Sequence, residues 1–478
     1  MKNVVSFFCD EMRQDALGCY GNPAGKMKTP NIDSIAAMGT LYENCYCNSP
    51  ICVPSRVSLL TGLYPEDTAV YGNEAAYPGF RLPEEVVTFP EVLAQAGYKT
   101  ANFGKTHVAP QMHPFQLDVP DGSEMSLGLT RQEMQNLPRI KPRQGISMNV
   151  ASLYPEKKTD YYPETVTRNA AAWLQEQSAS PQPFFLRVSY TQPHSPIILK
   201  RGYEELYRDY PFDSSLPDIS GLSGFEKALA EAVRLDTLTP EERRMAKVYY
   251  YGMAAWVDDQ VGAILQCLWE LNLLENTILI FNADHGALRG ECRGLGKHIF
   301  HRSSHAVPLI IADPSGTPKG RRVRQVCSNI DIARTVLSMV GVPVPAQFRG
   351  CNLAQEEYPE AIFSTIGYGE PDSYAFPNRR LGCLPGGRGW PRRSCIRTND
   401  YRLDMNVRID GLPAAEEDED LFFVDVRACP AEDRNMAKLP QYAPVVASLR
   451  AQLKAHAAHS REVPPESLHA PSGISSDQ

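Results

Sequence analysis

Five short runs hold residues able to do chemistry together: Asp10-Glu11, Cys52-Val53-Pro54-Ser55-Arg56, Gly104-Lys105-Thr106-His107, Gln192-Pro193-His194 and Asn282-Ala283-Asp284-His285-Gly286. Lys297 follows Asp284 by 13 residues. Carboxylates converging on one point suit a hard cation, Ca2+ first. A histidine ligand beside them leaves Mn2+ or Mg2+ open. Arg, Lys and His in the same pocket would neutralise an anionic substrate and move protons. Taken singly, each residue has an ordinary reading. An Asp at a strand end caps a helix, a Cys is a buried apolar thiol, and a Lys or His stands on a surface. Order and convergence separate the two readings, which turns attention to the elements that carry the runs.

Most of the runs follow a stretch with strand character. Residues 4–8 are apolar and open into Asp10-Glu11, residues 100–103 lead to Gly104, 184–190 lead to His194, and 277–281 lead to Asp284. Helical spacing appears over 32–38, 89–96 and, at length, 241–271, and residues 308–311 make one more apolar strand. Strands alternating with helices predict an α/β fold: a large, mostly parallel mixed sheet sandwiched by helices. Ligands of open α/β sheets bind just beyond the carboxyl ends of the strands, so the polar runs are expected to meet at one edge. Past residue 365 the texture changes. Residues 382–393 are rich in Gly, Pro and Arg, and 415–420 are an acidic run expected to form a solvated loop. Strands are expected at 394–397, 401–407 and 421–426, then a helix over 442–455. The expected organisation is a catalytic α/β domain over 1–365 and a C-terminal α+β subdomain over 366–478, with a small antiparallel sheet, a helix and a loose tail.

The run from Cys52 continues as Val57-Ser58-Leu59-Leu60-Thr61-Gly62. In this extended form it resembles the signature of the type I, formylglycine-dependent sulfatases of the alkaline-phosphatase-like superfamily. The resemblance covers most of the chain. It implies sulfate-ester hydrolysis, with Cys52 oxidised to formylglycine by a dedicated maturating enzyme. The hydrated aldehyde offers two hydroxyls: one attacks sulfur, and the other expels sulfate by re-forming the aldehyde, with Arg56 reaching back to hold the diol. Matched position by position, Asp10, Glu11, Asp284 and His285 fall on the family's metal-binding pairs, with residue 52 at the same metal. Glu11 departs from the family's usual Asp or Gln, and its longer arm leaves its ligand role open. By the same match Lys105 neutralises the metal-bound oxyanion and His107 takes the proton that triggers sulfate release. His194 with Lys297 protonates or stabilises the leaving oxygen. Residues 298–309 keep the family's length but not its letters, so His301, Arg302 and His305 either reshape the pocket or form its outer wall. Residues 395–402, 421–425 and 430–435 resemble the family's closing sheet.

The substrate is less determined than the reaction. Residues 46–52 and 70–73 look like choline-sulfatase-type enzymes, where an Asn equivalent to Asn73 helps hold sulfate. A quaternary ammonium would need an aromatic and acidic cage, and none can be placed. The expected substrate is a small sulfated saccharide, its carboxylate or second sulfate read by Arg388, Arg392 and Arg393 and its sugar face stacked on Trp390. The plain alternative is that a Gly/Arg-rich loop is mobile surface. Phosphonate monoester or phosphodiester hydrolysis is the rival activity, against which Ser55 argues. A non-catalytic anion-binding relative would have lost Cys52, Arg56, Lys105 or His107, and all are present.

Composition narrows the partners. With 48 basic and 56 acidic residues the formal charge is −8, which argues against a general basic face for nucleic acid. The twelve cysteines contain no C-x-x-C pair, so a zinc knuckle is not expected. No apolar stretch approaches the roughly 18 residues of a membrane span, and the first apolar run is shorter than a signal peptide needs. The expectation is a cytoplasmic enzyme with reduced thiols and no membrane partner. Residues 460–478 are Pro/Ser-rich, a tail expected to hang loose or to reach a neighbouring copy in a homo-oligomer.

Overall fold

The computed structural model describes residues 1–21, 27–76, 80–120, 128–144, 151–316, 318–367, 392–409 and 412–462. At its centre is an eight-stranded sheet of β1 (Asn3–Cys9), β2 (Thr40–Tyr42), β3 (Lys99–Gly104), β4 (Leu117–Val119), β5 (Phe184–Tyr190), β6 (Thr277–Ala283), β7 (Leu309–Ala312) and β8 (Arg321–Val323). The strand order is β8-β2-β7-β6-β1-β5-β3-β4. Strands β6, β1, β5, β3 and β4 pair in parallel, while β7 runs antiparallel to both its neighbours. The inner strands β6, β1 and β5 are buried at every position, as parallel strands must be when helices cover both faces. That is why they read as near-continuous apolar runs.

Register places the polar runs. Cys9 stands opposite Tyr190 on one side and Ala283 on the other, and Gly104 stands opposite Ser189. Asp10, Asp284 and Lys105 come next on their strands, and each extends the ladder with its own N–H. Asp10 donates to the Tyr190 carbonyl at 3.1 Å, Asp284 to Cys9 at 3.2 Å and Lys105 to Ser189 at 3.0 Å. Strand pairing alone delivers three distant runs to one sheet edge.

Among the described residues, α1 (Pro30–Met38), α2 (Cys52–Thr61), α3 (Tyr162–Ser178), α4 (Pro240–Glu270) and α5 (Ile330–Met339) share the core of the sheet, as does the short helix Phe89–Gln95. Thr239 starts α4 with a reciprocal cap, its hydroxyl accepting from the Glu242 N–H while the Glu242 carboxylate accepts from the Thr239 N–H. Tyr250 on α4 donates its hydroxyl to the Glu11 carbonyl and accepts from the Arg13 N–H at 3.1 Å. A flanking helix thereby braces the turn that follows β1.

A second, antiparallel sheet contains β9 (Ile362–Ile366), β10 (Arg392–Arg397), β11 (Tyr401–Ile409) and β12 (Leu412–Pro413), with β13 (Phe422–Asp425) also paired to β11. It begins at Ile362, ahead of the division set at residue 365, and α6 (Ala443–Ala457) packs on β10 and β11. Its core is shared with the catalytic chain: Leu288, Ile299 and Phe300 pack with Ile396, Leu403, Phe422 and Phe423. The acidic run 415–420 is exposed over 415–417, as its composition predicted, and turns inward only at its end. Glu419 is 3 % exposed and pairs with Arg450 at 2.7 Å and Lys454 at 2.6 Å. Asp420 accepts from the N–H groups of Gly224 and Phe225 at 2.8 and 2.9 Å, adding to the Ser223 cap of the helix Gly224–Val233. Partners on α6 and on that helix, distant in sequence, draw these two acids inward. The loop residues 382–391 and the tail from residue 463, which carry expectations above, lie outside the described residues. Among the described residues no helix is long and apolar enough to cross a membrane.

Candidate active site

Helix α2 begins at Cys52, and all its residues are buried. Pro54 forfeits nothing in the first turn, where N–H groups have no intrahelical acceptor. Ile51 at the N-cap offers no capping side chain. Asn73 supplies one from a neighbouring turn, its Oδ1 accepting from the Val53 N–H at 3.0 Å. Ser55 ties the helix to the sheet edge, donating its hydroxyl to the Asp284 carbonyl and accepting from Asn329 Nδ2 at 3.3 Å. At the far end Gly62 takes φ 63°, where an added Cβ would meet the Phe348 ring at 3.0 Å.

Around the Cys52 Sγ lie Lys297 Nζ at 2.8 Å, His285 Nε2 at 3.4 Å, Asp10 Oδ1 at 3.7 Å and His194 Nε2 at 3.9 Å. His107 is hydrogen-bonded to the same sulfur. Lys297 Nζ also reaches His194 Nε2 at 3.0 Å, Glu11 Oε1 at 3.1 Å and His285 Nε2 at 3.3 Å. Arg56, fully buried, lies across both strand-end acids, with Nη2 on Asp10 and Nε on Asp284 at 3.0 Å each. Its Nη1 donates to the Lys105 carbonyl at 3.1 Å, and Lys105 Nζ adds a second contact to Asp10 at 2.8 Å. Glu11 takes a left-handed backbone (φ 63°), held by its N–H on Asp284 Oδ1 at 3.1 Å and by Tyr250. Both its oxygens are in ion pairs, one with Lys297 and one with Arg289 at 3.0 Å.

Charge is distributed unevenly over this cluster. Burial and the Cys52 sulfur push Asp10 up, but Lys105, His194 and Arg56 outweigh them and hold it well below the usual carboxylate range. Asp284 moves the other way, raised by burial and by the charge on Asp10. The second negative charge of the pair is therefore the costly one. Burial opposes ionisation of Glu11, yet His194, Lys297 and Arg289 lower it to about 2. The Cys52 thiol is likewise buried, and Lys297, Lys105 and His285 still bring it far below an ordinary cysteine. Burial disfavours a charged His285, but Asp284 raises it to about 9.

The donor set fits a divalent cation. Asp10, Cys52, Asp284 and His285 each offer one atom, all within 4.8 Å of one another, and Asp10, Glu11 and His194 form a second such group. His285 Nδ1 lies 2.9 Å from the Gly286 carbonyl, which can only accept. That fixes a proton on Nδ1 and turns Nε2 toward the carboxylates. A cation between Asp10 and Asp284 would remove the repulsion that raises Asp284.

Asp10, Glu11, Cys52, Arg56, Lys105, His107, His194, Asp284, His285 and Lys297 thus meet in one site. Other candidates do not. Arg393, expected to read substrate, is 1 % exposed and bonds Asp404 Oδ1 at 2.7 Å and Asn406 Oδ1 at 3.0 Å, inside the second sheet. Its role is corrected to a structural one, because β10–β11 register sets it opposite Asn406. Arg392 stacks on Tyr71 at 3.8 Å and pairs with Glu462 at 3.1 Å. Arg388 and Trp390 lie outside the described residues. His301, Arg302 and His305 are turned to other partners, bonding Ala431, Gln14 and Cys47 respectively at 2.9 Å each. Arg289, Tyr250 and Asn329 were missed by sequence reasoning. Each is a lone polar residue without a motif around it, brought to the site only by folding.

A large, mostly parallel mixed sheet among helices, with acids at its strand ends and an antiparallel sheet after it, is the alkaline-phosphatase-like fold. The chain belongs to the sulfatase family, whose family model matches residues 2–342, and is a type I sulfatase, a sulfuric ester hydrolase. An arylsulfatase of Clostridium perfringens is 27 % identical over 378 residues, 73 % of this chain and 77 % of the relative. A delta 4,5-hexuronate-2-O-sulfatase of Bacteroides thetaiotaomicron is 25 % identical over 484 residues, covering 96 % of this chain and 89 % of the relative. Among solved structures, a phosphonate monoester hydrolase of Agrobacterium radiobacter superposes with a TM-score of 0.75 at 24 % identity, covering 96 % of each chain. That last likeness is one of fold.

Proposed function

We propose that this sulfatase hydrolyses a small sulfated saccharide with a formylglycine hydrate at position 52 as its nucleophile. The observation that carries the mechanism is the seat of Cys52 at a buried helix start, ringed by Lys297, His285, Asp10, His194 and His107. The oxidised and hydrated residue supplies one hydroxyl to attack sulfur and a second whose deprotonation releases sulfate. Asp10, Asp284 and His285, with Glu11 beside them, would hold the divalent cation, and a bound cation supplies positive charge against the sulfate oxygens. Ca2+ is the first choice for such oxygen-rich donors, with Mn2+ or Mg2+ admitted by the imidazole.

The chain's own side chains do the rest. Arg56 fixes Asp10 and Asp284 relative to residue 52, and Lys105 adds charge on the same side. His107, bonded to the atom at position 52, is placed to take its proton. Lys297 and His194, 3.0 Å apart, stand ready to protonate or stabilise the leaving oxygen. Lys297 also presses on the electrostatics around it, since burial fails to lower its own affinity for protons against Cys52, Glu11 and Asp10.

The saccharide reading is supported by the hexuronate sulfatase, which matches nearly the whole chain. The test is sulfate release from a panel of sulfated mono- and disaccharides beside choline sulfate, an aryl sulfate and an aryl phosphonate. Turnover of a saccharide at least about tenfold above choline sulfate and aryl phosphonate is expected. Preference for the phosphonate would replace this reading with that of the fold neighbour.

A further inference from the structure

Lys297 is presented by a segment with a strained backbone. His298 takes φ 86°, outside the regions that residues other than glycine occupy without cost. Such conformations persist only where the surroundings over-determine them. The His298 N–H itself donates to the Pro50 carbonyl at 3.3 Å, and the residues that follow it are held by the second sheet and the turn after it. Arg397 on β10 donates Nη2 to the Phe300 carbonyl at 2.9 Å, and Glu432 accepts from the Arg302 N–H at 3.1 Å. His301 adds a bond to the Ala431 carbonyl at 2.9 Å. Arg397 and Glu432 are themselves a two-pronged buried pair, both contacts at 2.8 Å, and Arg402 reaches Glu432 at 3.3 Å. Ile299 and Phe300 complete the grip by packing into the same core.

We propose that the Arg397–Glu432 pair is a positioning device for the reaction: it fixes residues 300–302 and so sets where Lys297 Nζ stands relative to residue 52 and the leaving oxygen. The inference rests on the leaving-group role assigned to Lys297 above. A buried ion pair gains little net stability over an apolar substitute, because both charges must be desolvated. What an apolar pair would lack is the two directed bonds to loop backbone, a carbonyl from one member and an N–H from the other.

The test uses enzyme matured at residue 52 and a series of aryl sulfates whose phenols differ in acidity, with kcat/KM read for each. Glu432→Gln and Arg397→Lys are compared with Lys297→Ala and Glu226→Gln. Glu226 serves the same buried network through Arg402 at 2.7 Å, so neutralising it removes neither bond to the loop. Lys297→Ala is expected to lose about 100-fold more on the least acidic phenol than on the most acidic one. Glu432→Gln and Arg397→Lys should give the same signature at about tenfold, while Glu226→Gln lowers the melting temperature and leaves the slope unchanged. If Glu432→Gln does not fold, Arg397→Lys, which keeps its charge, carries the test. Uniform losses in the two clamp variants beside a steep Lys297→Ala series would overturn the clamp and leave the role of Lys297 standing. A flat Lys297→Ala series would instead overturn that role, and the purpose of the clamp with it.

Discussion

Asp10 and Asp284 come from strands far apart in sequence, and one guanidinium meets both. A lysine in place of Arg56 would keep the charge but lose the fork that bridges them. These residues were legible because each belongs to a short run whose neighbours identify it. Arg289 was not, since what ties it to the site is the Glu11 oxygen it holds at 3.0 Å, a contact made only by folding. A second buried acid gives a prediction. Glu74 is 4 % exposed, beside the capping Asn73, and its Oε2 has no hydrogen-bond partner among the described residues. Burial pushes its carboxyl up from 4.5 to about 7. The folded state therefore favours the neutral acid, and that stability is fully present below about pH 4.5 and lost as pH rises through about 7. Glu74→Gln should match the parent near pH 4.5 and be more stable at about pH 8, by roughly 3 kcal/mol at most. Thermal melts at both values check this, and equal melting temperatures at the higher pH would contradict it.

Among the elements, the inner parallel strands were readable because burial on both faces leaves a nearly unbroken apolar run. The second sheet was harder. Its strands carry Arg393, Arg397, Arg402 and Asp404 on buried positions, where polar sequence ordinarily signals a surface. Arg393 was misread for that reason. Its replacement by Ala is expected to cost about 3–5 kcal/mol, the usual penalty for stripping one partner from a buried charge cluster. Well below the melting temperature, kcat/KM ratios across the saccharide panel should not change; a selective loss on one sugar would restore the substrate reading. Asn73 belongs to both accounts, cap and site. Asn73→Ala should lower stability by about 1 kcal/mol, as removal of a helix cap does, and should also lower kcat/KM, because the capped N–H adjoins residue 52. Denaturant titration and steady-state kinetics on the same sample separate the two effects.

Over the whole molecule, the catalytic sheet and the second sheet are joined where it matters. Leu288, Ile299 and Phe300 leave the active-site chain to fill the second core, and the Arg397–Glu432 pair grips the same loop. Charge acts at this scale too. Three acids, Asp10, Glu11 and Asp284, meet Arg56, Lys105, Arg289 and Lys297, a positive surplus suited to an anionic substrate. A divalent cation binding the folded acids alone stabilises the fold by linkage. Treatment with a chelator should therefore lower the melting temperature and added Ca2+ restore it, with Asp284→Asn abolishing the response. An unchanged melt in both arms would contradict a cation at Asp10 and Asp284.

The most direct measurement is the mass of the peptide carrying residue 52, taken beside activity on an aryl sulfate for the parent and for Cys52→Ala. Conversion of thiol to aldehyde removes about 18 Da, and the formylglycine nucleophile predicts that loss together with activity that vanishes in the variant. Turnover that survives in Cys52→Ala would contradict the mechanism at its centre.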